Sequence, residues 1–146
     1  YLKRNDMKIT NEFLKEVMPQ STESNRQKYL EWLNYFMPIY SINDNDEIAA
    51  FIAQVGHESG QLTYSEEIAS GKAYEGRKDL GNIQKGDGIR FKGRGLIQIT
   101  GRFNYEKLSK DLNEDFINNP KLLSTPKYAV ASACWFWNLK KLNNLC

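Results

Sequence analysis

The chain has one histidine and two cysteines in 146 residues, and no apolar run approaching the roughly 18 residues that a membrane-spanning helix requires. With His57 alone, a multi-histidine zinc site is excluded, and His57-Glu58-Ser59-Gly60 lacks the His-Glu-x-x-His spacing of a zinc hydrolase. A continuous helix between Cys134 and Cys146 would set them about 18 Å apart, beyond disulfide reach, so both are expected as free thiols. No Gly-x-Ser-x-Gly elbow is present to raise a serine nucleophile. Lys92-Gly93-Arg94-Gly95 lacks the Gly-x-x-x-x-Gly-Lys-Ser/Thr order of a phosphate loop, which argues against nucleotide binding. A formal charge of +2 is too small to mark a nucleic-acid binder, although a mild excess of Lys and Arg suits an anionic polymer such as a bacterial wall. The N-terminus shows no basic-then-apolar secretion signal.

What is present describes a packed globule. Hydrophobic residues make up 40% and charged residues 26%, and a chain this long buries roughly 68–70% of the surface it exposes when unfolded. One domain is therefore expected over residues 7–146. Met7-Lys8-Ile9-Thr10 reads as a natural start, so Tyr1–Asp6 is expected to be upstream linker.

The apolar spacing is mostly helical. Phe13, Leu14, Val17 and Met18 predict a short helix from Asn11, ended before Pro19. Tyr29, Leu30, Trp32, Leu33, Phe36 and Met37 form a wide stripe that Pro38 should stop. Asn43-Asp44-Asn45-Asp46-Glu47 supplies caps and negative charge ahead of Ile48, Phe51, Ile52 and Val55, with Gly60 as the natural end. The glycines then crowd into the stretch up to Gly101, where loops and a short hairpin belong. Arg102–Leu112 and Pro126–Leu142 return to helical spacing, the latter carrying Trp135, Phe136 and Trp137 as core residues. The fold class is mainly α (α+β).

Glu58 is the first candidate for chemistry. At 100° per residue it lies about 20° from Phe51 and about 60° from Val55, so it shares the apolar stripe, and its carboxyl must be buried or line a cleft. Desolvation there would favour the protonated form that a general acid needs. The competing reading is a structural ion pair with Arg77, Arg94 or Arg102. Glu67 would sit about 13 Å away if the helix continued, but the break at Gly60 permits a return. A fold-back could hold the two carboxylates roughly 6.5–9.5 Å apart with a water between them, the geometry of an inverting glycosidase. Glu66 and Glu75 are rivals for the second carboxylate. Gln98 and Thr100 alternate with Leu96, Ile97 and Ile99 as in a short strand, which would put amide and hydroxyl on one face. Asn104 would point toward the same opening from a following helix, although Thr100 could instead serve as that helix's cap. His57 is expected to make a supporting hydrogen bond.

Several ordered motifs then coincide: Ala49-Ala-Phe-Ile-Ala-Gln-Val-Gly-His-Glu-Ser-Gly60, Tyr74-Glu75-Gly76-Arg77, Gly81-Asn82, Gly86-Asp87-Gly88, and the run from Lys92 through Gly101 to Tyr105. From about Ala49 to Trp137 the sequence resembles glycoside hydrolase family 19, the chitinase-like group that includes small bacteriophage endolysins and bacterial wall hydrolases. That resemblance implies a lysozyme-like, mainly helical fold and inverting hydrolysis of β-1,4 bonds between N-acetylated sugars. By it Glu58 matches the general acid and Glu67 the base, while Gln98, Thr100 and Asn104 match substrate-binding positions, with His57 and Tyr105 beside them. Family domains continue with a further helix and an Arg-rich, Asn-Gly segment, so the domain is read as C-terminally truncated.

These expectations converge on a peptidoglycan-cleaving, endolysin-like muramidase with no cofactor and no metal. Chitinase activity is the alternative, and a non-catalytic wall-binding remnant the reading from another class. A monomer is expected, without nucleic-acid partner or membrane span. It would be made in the cytoplasm and reach the wall by holin-type or secretion-system release. In a toxin-like role, a small immunity protein would plug the cleft.

Overall fold

The computed structural model describes residues 8–145, with side chains described as far as Lys141. The expected linker Tyr1–Asp6, the start at Met7 and the Cys146 thiol lie outside the described residues. Helix α1 spans Asn11–Val17, α2 Glu23–Ile39, α3 Asn45–Glu58, α4 Asp87–Arg90, α5 Arg102–Leu112 and α6 Pro126–Leu145. Single 3₁₀ turns stand at Lys72–Tyr74, Lys78–Leu80 and Pro120–Ser124. Among the described residues no helix is long and apolar enough to cross a membrane.

The helix starts follow from side-chain caps. Thr10, Thr22 and Asp44 accept from the backbone N–H of Phe13, Asn25 and Glu47, each satisfying a donor that the first turn leaves unpaired. Pro38 does not stop α2 where its position predicts, because the helix runs one residue past it to Ile39. Two apolar clusters hold the helices together. The first joins Leu14 and Met18 of the α1 end, Leu33 and Met37 of α2, Phe51, Ile52 and Val55 of α3, and Ala129, Val130 and Ala133 of α6. Phe51 is fully buried and meets the Trp137 ring edge-on, with centroids 5.5 Å apart. Truncating such a ring to alanine costs about 3–5 kcal/mol, so this contact anchors α3, and with it Glu58, against α6. The second cluster gathers Phe91, Ile99, Tyr105, Leu108, Phe116, Leu123 and Trp135 beneath the glycine-rich loops. Cys134 is a free, fully buried thiol in the first cluster, and burial pushes its pKa up.

The stretch between α3 and α5 departs from the sequence expectation. No strand forms among the described residues. The hairpin is reduced to two isolated antiparallel bridges, Glu66 with Arg94 and Arg94 with Ile99. The predicted strand at Leu96–Thr100 is a turn instead. Gly95 (φ 88°) and Gln98 (φ 62°) are both left-handed, which brings the Ile99 N–H back to the Arg94 carbonyl at 2.8 Å. A residue with no Cβ adopts that φ without penalty at Gly95, while Gln98 adopts it at some strain.

Candidate active site

Helix α3 ends at Glu58 because Ser59 takes over the capping. Its buried hydroxyl donates to the Val55 carbonyl at 2.6 Å and accepts from the Leu62 N–H at 2.8 Å. Gly60, Gln61 and Leu62 then follow in three successive left-handed conformations (φ 59°, 56° and 69°), a tight reversal that turns the chain back on itself. The return segment pairs with the Lys92–Gly95 loop: Glu67 N–H donates to the Gly93 carbonyl at 2.9 Å and Gly95 N–H to the Ser65 carbonyl at 2.8 Å. The break at Gly60 thus delivers Glu67 to the loop that carries Gln98 and Thr100.

Glu58 lines a cleft whose near wall is Gln98, Thr100 and Asn104 and whose far wall is Phe136, Trp137 and Lys140 of α6. The carboxyl is exposed, so of the two positions its stripe allowed, it occupies the cleft wall; the burial that would have desolvated it is not there. Gln54, one turn earlier, donates to its Oε2 at 3.0 Å. The structural ion-pair reading fails, since each candidate arginine is engaged elsewhere. Arg77 pairs with Asp79, Arg102 with Asp87, and Arg94 lies 3.8 Å from Glu66.

Glu67 is half-buried and held at both oxygens. Gly93 N–H donates to Oε1 at 2.6 Å and the Tyr74 hydroxyl to Oε2 at 3.1 Å. Burial, followed by the bond to Glu67, raises the Tyr74 pKa, which keeps its proton on the phenol as a donor. The position a Cβ would take on Gly93 lies 2.8 Å from Gln98 Oε1 and 3.2 Å from both Glu67 Oε1 and Thr100 Oγ1. Three polar groups from two chain segments therefore ring the bare Cα of Gly93. Gln98 is fixed by donating to the Gly95 carbonyl at 3.0 Å, Thr100 by donating to the Gln98 carbonyl at 3.0 Å, and Asn104 by donating to the Thr100 carbonyl at 2.8 Å. Thr100 does not cap α5, whose N-cap is Gly101.

The rival carboxylates are occupied. Glu66 meets Lys92 Nζ at 3.0 Å and Arg94 at 3.8 Å. Burial works to raise its pKa, but the Lys92 bond and the charges of Arg94, Lys92 and Lys121 outweigh it and hold the carboxyl low. Glu75 accepts the N–H groups of Gly88 at 2.8 Å and Gly86 at 2.9 Å, which ties down the loop before α4. Two other expectations need correction. Tyr105 does not face the cleft: it is fully buried, donating to the Lys92 carbonyl at 2.6 Å and accepting from Arg94 at 3.1 Å, so it props the loop from behind. Burial raises its pKa. His57 is exposed and is not part of the cleft lining.

Four contributors have no role in the sequence reading. Tyr74 and Gly93 sit within recognised motifs, yet nothing local marks them as partners of Glu67. Phe136 and Trp137, expected in the core, are half-buried and present one side to the cleft. Trp135 alone of the three is buried, with its indole N–H donating to Asp111 at 2.7 Å.

The loops are fastened from the other side by a buried pair. Arg102 makes two bonds to Asp87, at 2.8 and 3.0 Å, and stacks over Phe91 at 4.9 Å. Asn82 accepts the Arg102 N–H at 2.8 Å and donates to the Tyr74 carbonyl at 2.9 Å, linking this pair to the residue that holds Glu67.

Known proteins resemble this chain in sequence and in fold. Residues 40–145 match the profile of glycoside hydrolase family 19, described as chitinase class I. An endochitinase of Arabidopsis thaliana is 42% identical over 94 residues, covering 64% of this chain and 32% of its own length. A glycosyl hydrolase family 19 domain-containing protein of Haemophilus influenzae is 31% identical over 128 residues, covering 66% of this chain and 64% of its own. The crystal structure of chitinase C from Streptomyces griseus superposes with a TM-score of 0.70 at 24% identity, over 90% of this chain and 55% of that one, a likeness of fold. The chain spans about a third of the length of that endochitinase and of a second one from the same plant. With the profile covering most of its residues, the chain belongs to glycoside hydrolase family 19.

Proposed function

We infer that residues 7–146 form a single catalytic domain that hydrolyses β-1,4 bonds between N-acetylated amino sugars, with bacterial wall peptidoglycan as substrate and inversion at the anomeric carbon. The observation that carries this reading is the ring of Glu67, Gln98 and Thr100 over Gly93, two of whose members, Gln98 and Thr100, also line the cleft that Glu58 lines. Glu58, solvent-accessible and free of any arginine, protonates the glycosidic oxygen. Glu67 takes a proton from a water seated among the ring's oxygens, and that water attacks from the opposite face of the sugar. Thr100 and Gln98 orient the water, and Asn104 with Gln98 receives acetamido and hydroxyl groups. Acid and base catalysis each contribute typically about 10²- to 10⁴-fold.

A chitin-cleaving reading has its own support, since the plant relatives are endochitinases by name. Turnover of peptidoglycan and of chitin oligosaccharides by the wild type, Glu58→Gln and Glu67→Gln, with mass analysis of the ends, separates the two. Reducing-end products from wall glycan, lost in both variants, are expected. Chitin-only products would favour the second reading, 1,6-anhydro ends would mean a transglycosylase, and binding without turnover would mean a non-catalytic module.

A further inference from the structure

Among the described residues the cleft lining carries one cation. Gln54, Gln98, Thr100 and Asn104 offer neutral hydrogen-bonding groups, and Glu58 is the only carboxylate among the described lining residues. Lys140 stands on the far wall, one helical turn beyond Phe136, with its Nζ 5.8 Å from the centre of that ring. Its neighbour Lys141 turns the other way and pairs at 2.7 Å with Glu47, which also accepts the Trp137 indole N–H at 3.1 Å. Glu47 is thereby taken. Lys92, the other lysine near the site, is committed to Glu66. Among the described residues Lys140 has no carboxylate partner, although it is exposed and faces the cleft.

A chain of neutral acetamido sugars gives an ammonium group nothing that the amides and hydroxyls of the near wall do not already serve. An anionic substituent projecting from the sugar does, and it would meet the charge where the ammonium stands over the Phe136 ring. We propose that Lys140 is a specificity-determining residue that binds a carboxylate carried on the glycan, so that this cleft takes an acidic amino-sugar polymer in preference to a neutral one. The inference rests on the hydrolase reading above and assigns the side chain that selects its substrate. Two carboxylate sources are available on a wall polymer, the lactyl ether on the sugar ring and the acidic groups of the attached peptide.

The test compares wild type with Lys140→Gln on three glycans: intact wall polymer, wall polymer stripped of peptide to leave free lactyl carboxylates, and a neutral N-acetylglucosamine hexamer. In Lys140→Gln the ratio of kcat/KM on the acidic glycans to that on the hexamer is expected to fall about threefold to fivefold, through KM. Lys140→Glu should lower it further. High salt should erase the difference, since the screening length shrinks from about 30 Å at 0.01 M to about 3 Å at 1 M. A fall on the stripped polymer assigns the contact to the lactyl group, and a fall on intact polymer alone assigns it to the peptide. A ratio unchanged in both variants overturns the proposal. Binding of the same glycans to Glu58→Gln, with and without Lys140→Gln, reads the preference without turnover. A preserved preference with no turnover in the wild type would defeat the hydrolase reading alone, and an absent preference would defeat the charge reading.

Discussion

Gly93 and Glu67 hold each other in both directions: the Gly93 N–H donates to Glu67 Oε1 at 2.6 Å, and the Gly93 carbonyl accepts the Glu67 N–H at 2.9 Å. A short backbone donor on one oxygen and the Tyr74 hydroxyl on the other leave that carboxylate little rotational freedom. The missing Cβ matters as much as the N–H. Gly93 is not left-handed, so alanine fits its backbone, but the methyl would stand 2.8 Å from Gln98 Oε1 and 3.2 Å from Thr100 Oγ1. Gly93→Ala is expected to fill the space above the Cα that the water needs. Steady-state kinetics should show kcat down about 100-fold with KM changed far less, and a melting curve should show the fold retained. Full activity in Gly93→Ala would remove the water from this position.

Tyr74 supplies the second restraint on Glu67, from a 3₁₀ turn that Asn82 pins through the Tyr74 carbonyl. Tyr74→Phe keeps the ring and removes only the hydroxyl. A hydrogen bond to a charged group contributes about 1.5–3 kcal/mol, part of which solvent at this half-buried site replaces. The expected outcome is a fall in kcat of about tenfold with KM nearly constant. Loss in KM alone would mean that Tyr74 touches the sugar and not the base.

Glu66 and Glu75 separate from Glu67 by what already binds them. Glu66→Gln leaves Lys92 and Arg94 without their carboxylate, and Glu75→Gln weakens two bonds from the glycine-rich loop. Both should therefore act on stability, by about 1–2 kcal/mol in urea unfolding, with kcat within a few-fold of wild type. Glu67→Gln should show the reverse, a loss of at least about 100-fold in kcat on a stable fold. An inactive Glu66→Gln with unchanged stability would transfer the base to Glu66.

The first three helices were legible because each pairs an apolar stripe with a capping residue, and Arg102–Leu112 by its spacing alone. Arg102–Leu112 is found with the boundaries that its spacing predicts, and the caps before Ile48 resolve to Asp44. The strand at Leu96–Thr100 was not, because five residues of alternation fit a turn equally well. What decides between them is the left-handed Gln98 backbone, set by closure of the loop onto Arg94 and not by any local preference. Tyr105 shows a different failure. Tyr105 and Leu108 lie on one face of α5 and both are fully buried, a core pattern that the motif's likeness to a sugar-binding run overrode. Tyr74 and Lys140 carry no local signal at all: one acts through a loop closure, the other through a cleft wall supplied by the last helix.

The Asp87–Arg102 pair gives stability a pH dependence of known sign. The Arg102 bonds hold the buried Asp87 carboxyl below the ordinary range, against the opposing effect of its own burial. A group depressed in the folded state stabilises fully above its unfolded pKa of about 3.9 and loses that contribution as pH falls through the folded value. Asp87→Asn leaves Arg102 only the exposed Glu106, at 3.7 Å, as a counter-charge, at a cost of about 2 kcal/mol at neutral pH. Urea unfolding should show wild type and Asp87→Asn separated by that amount at pH 7 and converging below about pH 4. Because Asn82 links Arg102 to the Tyr74 turn, the variant should also lose kcat, and Glu67 should become less restrained before the domain unfolds. A gap between the two proteins that stays constant from pH 7 to pH 3 would show that the pair's charge is not what stabilises the loop.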